Sequence, residues 1–236
     1  MNLLAIDTSG AACSAALMNS GRIQAEIFAE FDQTHARHVM ELVNSLIKAA
    51  GIKALDINAF GVTSGPGSFT GLRIGMATIK GLALAYDRPV AGISSLLALA
   101  YPLRFTKELL CPMIDARKYE VYSEIYRFSD NGFTVVSSAS VCSPDQLVSR
   151  VSGLGEPCLF TGSGALLYRD RISGELGSLA RFAPDETGRI RAGTVAELAY
   201  RRILQGDACS AEELLPVYIR KSDAERKRAQ SCFAST

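Results

Sequence analysis

The amino-acid sequence predicts an α/β protein in which mixed sheets are flanked by helices. Two observations indicate this class. Three apolar segments follow one another with only short turns between them, at residues 3–6, 12–18 and 23–31. Helical and extended patterns then alternate, over residues 34–50, 59–63, 71–86 and 89–93. The predicted order is three strands, a helix, a strand, a helix and a strand. This is the order of one half of actin-like and hexokinase-like folds.

The first three strands are predicted to be antiparallel neighbours because the turns between them are short. The segment DTSG at residues 7–10 separates the first strand from the second, and NSG at residues 19–21 separates the second from the third. Turn residues between apolar runs favour hairpins.

The two predicted helices of the first half differ in polarity. Over residues 34–50 apolar side chains recur at helical spacing, with Thr34 at the N-cap position and Gly51 at the C-cap position. Over residues 71–86 nearly every side is apolar or small, and Arg73 and Lys80 are the chief interruptions. A helix with so little polar surface is normally covered on more than one side.

The later segments predict a second sheet. They are a helix at residues 95–101, strands at 109–114 and 119–128 with a turn at 115–117, a helix at 144–151, a strand at 158–161, a turn at 162–164 and a helix at 194–204. We place an N-terminal domain at residues 1–105, a smaller second domain at 106–190 and a polar tail at 221–236.

The composition argues against a global attraction to nucleic acid or to an acidic membrane. Charged residues make up 21% of the chain and the formal net charge is +1, so any link to RNA has to be local or indirect. No apolar run reaches the ~18 residues of a membrane span, and the six cysteines form no C-x-x-C pair. We expect a soluble, cytoplasmic protein with reduced thiols and no membrane partner.

The segment SGPGSFTGLRIG, residues 64–75, is a glycine-rich loop between a strand and a helix. It lacks the Lys-Ser or Lys-Thr of a Walker loop, and its glycines have one residue too many between them for G-x-G-x-x-G. Two interpretations stay open, an anion site at the helix N-terminus and a tight turn that permits close packing. Asp7 likewise could serve a bound nucleotide or cap its own turn. The candidate nucleotide-binding residues are Asp7, Thr8, Ser9, Gly65, Gly67 and Ser68.

No catalytic or metal-binding constellation is predicted. His35 and His38 are the two histidines of the chain and share one helical turn without an evident third ligand. No nucleophile elbow G-x-S-x-G and no Ser-His-Asp or Cys-His arrangement is evident.

Four segments together resemble the TsaB family, also called YeaZ, of tRNA threonylcarbamoyladenosine proteins. They are MNLLAIDTSGAACSAAL, SGPGSFTGLRIGMATIKGLA, IDARKYEVY and PVYIR, which occur in the family order between residues 1 and 220. The resemblance implies a two-domain actin-like fold in which residues at about 190–220 return to the first domain.

The resemblance also implies partners. TsaD, the larger paralogue, transfers the threonylcarbamoyl group to N6 of adenosine 37 in ANN-decoding tRNAs, and the ATPase TsaE is a further partner. TsaD-type members hold a metal through H-x-x-x-H, whereas this chain has only His35-Ala-Arg-His38. We therefore expect a non-catalytic scaffold subunit that pairs with TsaD, forms a homodimer when alone, and meets tRNA only indirectly through the complex.

The nucleotide machinery is expected to be incomplete. Active actin-like phosphotransferases need phosphate and adenosine loops from a full-sized second half, whereas residues 162–164 and a short segment around them are what the sequence offers. Any ATP or ADP with Mg²⁺ is expected at the level of the complex. The alternatives are a self-sufficient ATP-dependent kinase that uses Asp7, and a peptidase with a metal on the histidine pair.

The family associates through helices that correspond to residues 34–50 and 71–86. The residues predicted for the partner interface are His35, His38, Val39, Leu42, Val43, Leu46, Gly71, Leu72, Arg73, Gly75, Met76, Ile79 and Lys80.

Overall fold

The computed structural model describes residues 1–30, 35–130 and 132–220, and the backbone alone for residues 35–37. The predicted cap at Thr34 and the predicted tail at 221–236 lie outside these residues. The described chain contains two five-stranded sheets. The strands of the first sheet are β1 (Asn2–Asp7), β2 (Ala12–Asn19), β3 (Arg22–Glu30), β4 (Ile57–Gly65) and β5 (Val90–Ser94).

The first sheet has the order β3-β2-β1-β4-β5. β1, β2 and β3 are consecutive antiparallel neighbours, as their short turns predict, and Leu4 is opposite Leu17 in the register. β4 and β5 run parallel to β1. The sheet is therefore mixed, and the carboxyl ends of β1 and β4 lie at the same edge.

Helices cover both faces of the first sheet. α1 (His35–Ala50) and α2 (Phe69–Tyr86) pack side by side on one face, and α3 (Ser95–Ala100) and α7 (Ala192–Leu204) pack on the other. The sheet residues alternate between these two cores, so that Leu4 faces the first pair and Leu3 the second. This division leaves the outer sides of α2 and α7 at opposite surfaces of the molecule.

The second sheet repeats the plan of the first. Its order is β10-β9-β6-β7-β8, with β6, β7 and β8 antiparallel and β6, β9 and β10 parallel. Its elements are β6 (Leu109–Asp115), β7 (Val121–Ser129), β8 (Gly132–Cys142), α4 (Pro144–Leu154), β9 (Cys158–Thr161), α5 (Ser163–Leu167), α6 (Arg169–Leu176) and β10 (Ala180–Phe182).

The second half contains more helices and strands than its sequence pattern predicts. β8, α5, α6 and β10 were not predicted, and the turn expected at residues 162–164 contains the start of a helix. β8 escapes prediction because its sequence GFTVVSSASVC is mostly exposed or half-buried and lacks an apolar alternation. The second half has all five strands of an actin-like half.

The chain returns to the first sheet after β10. α7 contacts β1, β2, β4 and β5, and Cys209 exchanges two backbone hydrogen bonds of 2.9 Å with Val90. The domain limits at residues 1–105, 106–190 and 190–220 stay predictions. Within the ranges described, no helix combines the length and apolar character needed to cross a bilayer.

Candidate functional site

The first turn of the chain packs directly against the glycine-rich loop. The Ser68 N–H donates a hydrogen bond of 2.8 Å to the Ser9 carbonyl oxygen, and the Thr8 hydroxyl donates one of 2.7 Å to the Gly71 carbonyl oxygen. A Cβ atom added to Gly67 would lie 2.5 Å from the Ser9 carbonyl oxygen. Glycine at this position therefore permits an approach of two backbones that a side chain would prevent.

Gly71 and Gly75 face inward from α2. A Cβ at Gly71 would overlap the Thr8 carbonyl oxygen, and one at Gly75 would overlap the Thr8 hydroxyl oxygen. The chain's own first turn therefore occupies the side of α2 on which both glycines lie, and their place in a partner interface stays a prediction. The α2 glycine whose Cβ position meets open space is Gly81.

Asp7 ends β1 with a side chain that is only 2% exposed. Its Oδ1 atom accepts hydrogen bonds from the Ser9 N–H at 3.1 Å, the Ser9 hydroxyl at 2.6 Å and the Thr63 hydroxyl at 2.6 Å. The carboxylate thus caps its own turn and ties that turn to β4. Burial, and then the charge of Asp7, raises the pKa of the Cys13 thiol to about 11.

Residues 214–220, here called the strap, cross the end of β4. The Val217 N–H donates a hydrogen bond of 2.7 Å to the Ser64 carbonyl oxygen. Gly65 has a φ of +118°, and a Cβ there would lie 2.6 Å from the Val217 carbonyl oxygen. Glycine is required at this position by both the backbone conformation and the strap above it.

The strap also holds the N-terminal turn of α2 and reaches the second sheet. The Tyr218 ring lies 5.0 Å from the Phe69 ring, and its hydroxyl accepts a hydrogen bond of 3.2 Å from Arg73 Nε. Arg220 forms an ion pair of 2.8 Å with Glu120 in the turn between β6 and β7. The family motif PVYIR is therefore a connection between the two halves.

The turn between β6 and β7 has an unusual backbone. Arg117, Lys118 and Tyr119 have φ values of 60°, 55° and 59°, in the left-handed region that side-chain-bearing residues rarely adopt. The Arg117 N–H donates a hydrogen bond of 2.8 Å to Asp115 Oδ1, and Arg220 Nη1 donates one of 3.1 Å to the Ala116 carbonyl oxygen. Backbone held in this region is concentrated at functional sites.

A cleft runs between the two sheets. Its polar end has a volume of about 570 Å³ and is lined by residues 66–70, 115–118 and 217–220. Its apolar end, about 420 Å³, is lined by residues such as Leu99, Phe160 and Phe182, and the two ends share residues 9–11. The polar end brings together the α2 N-terminus and cations, an arrangement that favours an anion.

The predicted nucleotide residues divide between this cleft and the packing around it. Ser9, Gly67 and Ser68 line the polar end, and Asp7 and Ser9 line the apolar end. Thr8 and Gly65 are engaged by α2 and by the strap. Nucleotide binding stays a prediction.

Most of the predicted interface side chains lie in the chain's own core. The buried ones are Val39, Leu42, Val43, Leu46, Gly71, Leu72, Gly75, Met76 and Ile79. Six of them, Val39, Leu42, Val43, Leu46, Met76 and Ile79, belong to the core on the first sheet, so their apolar surface is already covered by the chain itself. Arg73 is exposed and His38 and Lys80 are half-buried, while the His35 side chain lies outside the described residues.

The outward side of α2 presents a different set of residues. Thr70, Arg73, Ala77, Gly81 and Leu84, here called the α2 stripe, are all exposed and recur at helical spacing. Leu84 is 57% exposed. Ala77, Gly81 and Leu84 are absent from the predicted interface, although a helical projection places them away from most of the larger residues Leu72, Met76 and Ile79.

His38 pairs with Glu41 on α1, with 3.1 Å between Nδ1 and Oε2. Among the described residues, no three or more His, Cys, Asp or Glu side chains are grouped in a way that could hold a metal ion. The cysteines at positions 13, 111, 142 and 158 are buried without a disulfide, and Cys209 is half-buried.

Two sheets with the same strand order, facing each other across a cleft, define the actin-like, hexokinase-like class of folds. A solved ROK hexokinase from Thermus thermophilus has this fold, with a TM-score of 0.52 at 14% identity over 86% of this chain and 100% of that chain.

Sequence relatives narrow the class. The TsaB proteins of Bacillus subtilis (strain 168) and Escherichia coli (strain K12) are each 31% identical, over 98% and 96% of this chain and 99% and 98% of their own lengths. The solved YeaZ from Pseudomonas aeruginosa gives a TM-score of 0.76 at 29% identity, over 92% of this chain and 100% of that chain. The protein-family model described as TsaD, tRNA N6-adenosine threonylcarbamoyltransferase, matches residues 25–228 of this chain. The chain belongs to the TsaB (YeaZ) family of tRNA threonylcarbamoyladenosine biosynthesis proteins.

Proposed function

We propose that this chain acts in threonylcarbamoyladenosine biosynthesis as a non-catalytic subunit. It pairs with TsaD, with TsaE as a further partner, and thereby supports threonylcarbamoyl transfer to N6 of adenosine 37 in ANN-decoding tRNAs. It works in the cytoplasm and meets tRNA within this complex. Its relatives' names, which refer to this biosynthesis, support the pathway.

The α2 stripe is the observation that carries the pairing. Over 18 residues α2 contains only two charged side chains, Arg73 and Lys80, and its exposed side is formed largely by small or apolar residues. Ala77 and Gly81 permit close approach of a partner helix, and Leu84 supplies apolar area at its end. An exposed apolar helix face of this kind is typical of a protein interface.

A stand-alone kinase would need Asp7 for its nucleotide, whereas the contacts of Asp7 support a structural role. Its Oδ1 accepts three hydrogen bonds from its own turn and from β4. Glycines 67, 71 and 75 likewise serve the packing of α2 against that turn.

The pairing is tested by light scattering on the purified chain mixed with its cognate TsaD, with and without ATP and TsaE. We expect a heterodimer for the wild type, and none for Leu84→Glu, because a carboxylate would be desolvated in the interface. Leu204→Glu is the matched control, since Leu204 is 66% exposed at the end of α7 on the other side of the sheet. Absence of a heterodimer under every condition would refute the pairing.

The same stripe gives the expected behaviour of the isolated chain. Without TsaD, an exposed apolar face favours self-association, and a two-fold dimer is the commonest outcome. Concentration-dependent scattering of the chain alone, reduced in Leu84→Glu, would support a homodimer through this face.

A stand-alone kinase is the second candidate, and the polar end of the cleft favours it. Arg117 and Lys118 lie there with the α2 N-terminus, so phosphate groups could be held, with ATP or ADP and Mg²⁺ as the cofactor. Calorimetry with Mg-ATP separates the candidates. Tight binding and turnover by the chain alone, lost in Asp7→Ala, would favour the kinase, whereas nucleotide binding only in the presence of TsaD would favour the subunit.

A further inference from the structure

A second groove lies on the side of the first sheet opposite the α2 stripe. Its volume is about 1120 Å³, and it is bounded by residues 101 and 104–107 after α3, by the facing ends of β7 and β8, and by α7. α1 and α2 pack on the other face of the sheet. A partner docked on the α2 stripe therefore leaves this groove open.

Aromatic rings are exposed along the groove. Phe105 is 82% exposed and Phe133 is 41% exposed. The Phe133 ring is held 5.5 Å from both the Phe128 and the Tyr126 rings. The Phe133 ring, packed on its neighbours, and the largely exposed Phe105 ring both line the groove and give two stacking surfaces for planar groups.

Cations lie beside these rings. The Arg104 guanidinium is 4.2 Å from the Tyr101 ring centre and 4.6 Å from that of Phe105, which extends the planar surface. Lys107 is exposed at the rim, and Arg201 lies on the α7 wall. A guanidinium plane stacked on an aromatic ring is a common platform for a nucleic-acid base.

Carboxylates balance most of this charge. Glu197 Oε1 lies 3.7 Å from Arg104 and 3.0 Å from Arg201, and Asp207 pairs with Arg202. With Asp130 and Lys107 included, the described groups give four cations against three carboxylates. Charge complementarity thus favours an anion weakly, and the rings supply the larger share of the expected affinity.

We propose that this groove binds unpaired nucleotides of RNA, with bases stacked on Phe105 and Phe133 and a phosphate beside Lys107. The stacking and the small positive excess match a single strand better than an acidic peptide, which lacks planar groups in series. That the RNA is tRNA rests on the proposed function. The groove would give the chain a local contact with RNA that is held by the complex.

The experiment measures fluorescence anisotropy of a labelled, unmodified ANN-decoding tRNA transcript, a short single-stranded RNA and a blunt duplex of the same sequence. Each is titrated with the full chain alone and with its mixture with cognate TsaD. The groove variant is Phe105→Ala with Lys107→Ala. Its matched control is Leu55→Ala with Lys53→Ala, since Leu55 is 66% exposed and Lys53 is an exposed lysine two residues away.

We expect the groove variant to bind single-stranded RNA about tenfold or more weakly than the wild type and the control. Because one or two phosphates are contacted, log K should fall with log salt with a slope of about −0.7 to −1.4. The variant should still form the heterodimer by light scattering, which separates this inference from the proposed pairing. Equal RNA affinity of variant and wild type, a preference for duplex, or equally tight binding of polyglutamate would overturn the inference.

Discussion

Two glycines on one helix should respond in opposite directions to the same substitution. Gly71→Ala places a Cβ into the Thr8 carbonyl oxygen, whereas the Cβ of Gly81→Ala meets no atom within 4 Å. The clash at Gly71 is between the new Cβ, which is fixed by the backbone, and a backbone oxygen, so no rotamer change relieves it. The first turn and α2 must separate instead.

The magnitudes follow from the contacts. Separation costs about 1–3 kcal/mol of overpacking and weakens the Thr8 hydroxyl bond to the Gly71 carbonyl, worth about 1 kcal/mol. Alanine returns about 1 kcal/mol of helix propensity. Gly71→Ala should therefore lose about 1–3 kcal/mol of unfolding free energy, and Gly81→Ala should gain up to about 1 kcal/mol.

Urea unfolding followed by circular dichroism gives the unfolding free energy of each variant. In thermal unfolding, each kcal/mol of change should shift the Tm by about 2–4 °C in a chain of this size. If Gly71→Ala were as stable as the wild type, the inward-facing assignment of this glycine would be refuted. Loss of stability in Gly81→Ala would refute the outward-facing assignment of the α2 stripe.

Three further changes test other parts of the structure. Arg220→Met removes the ion pair with Glu120 and the hydrogen bond to Ala116. It should lower the unfolding free energy measured in urea by about 1–3 kcal/mol, because the Arg220 side chain is largely buried. An unchanged free energy would mean that the strap does not tie the halves together. Leu46→Ala should cost about 2–5 kcal/mol, since Leu46 is 1% exposed in the core, and a near-neutral result would return Leu46 to the interface. The raised pKa of Cys13 keeps its thiol protonated in the folded chain, so the unfolding free energy should fall between pH 9 and about 11, where the unfolded thiol ionises first. Cys13→Ala should lack this fall. The same pH profile in Cys13→Ala as in the wild type would contradict the assignment to Cys13.

The hydrophobic pattern predicted the elements of the first half well. The strands at residues 3–6, 12–18 and 59–63 and the helix at 34–50 lie within or close to the observed elements. The strands are buried on both faces and therefore read as continuous apolar runs, whereas the helix buries one face and therefore shows a regular period. β8 is the opposite case. Its serine-rich sequence has no buried face to impose a period.

Periodicity could not say what covers an apolar helix face. Val39, Val43 and Leu46 are predicted for the partner interface because the family resemblance implies association through this helix, yet these residues pack on the chain's own sheet. The largest apolar side chains enter the chain's own core, where burial is complete. Smaller residues such as Ala77 and Gly81 are left outside, and their role could be inferred only after the core was known.

The strap shows a second limit of the sequence. The hydrogen bond from Val217 to Ser64 and the ion pair from Arg220 to Glu120 join segments far apart in the chain. PVYIR has no local pattern that encodes such contacts, so the motif could be noted but its purpose could not be derived. The same holds for Gly71, whose neighbour Thr8 is distant in sequence.

The most direct test of the pairing is the affinity of Ala77→Glu for cognate TsaD, measured by titration calorimetry beside the wild type and Leu204→Glu. Ala77 is exposed at the middle of the α2 stripe, so the substitution should leave the fold of the free chain intact. We predict at least about 30-fold weaker binding for Ala77→Glu and unchanged binding for Leu204→Glu, because a desolvated carboxylate costs about 2 kcal/mol or more. Wild-type affinity in Ala77→Glu would contradict docking through α2.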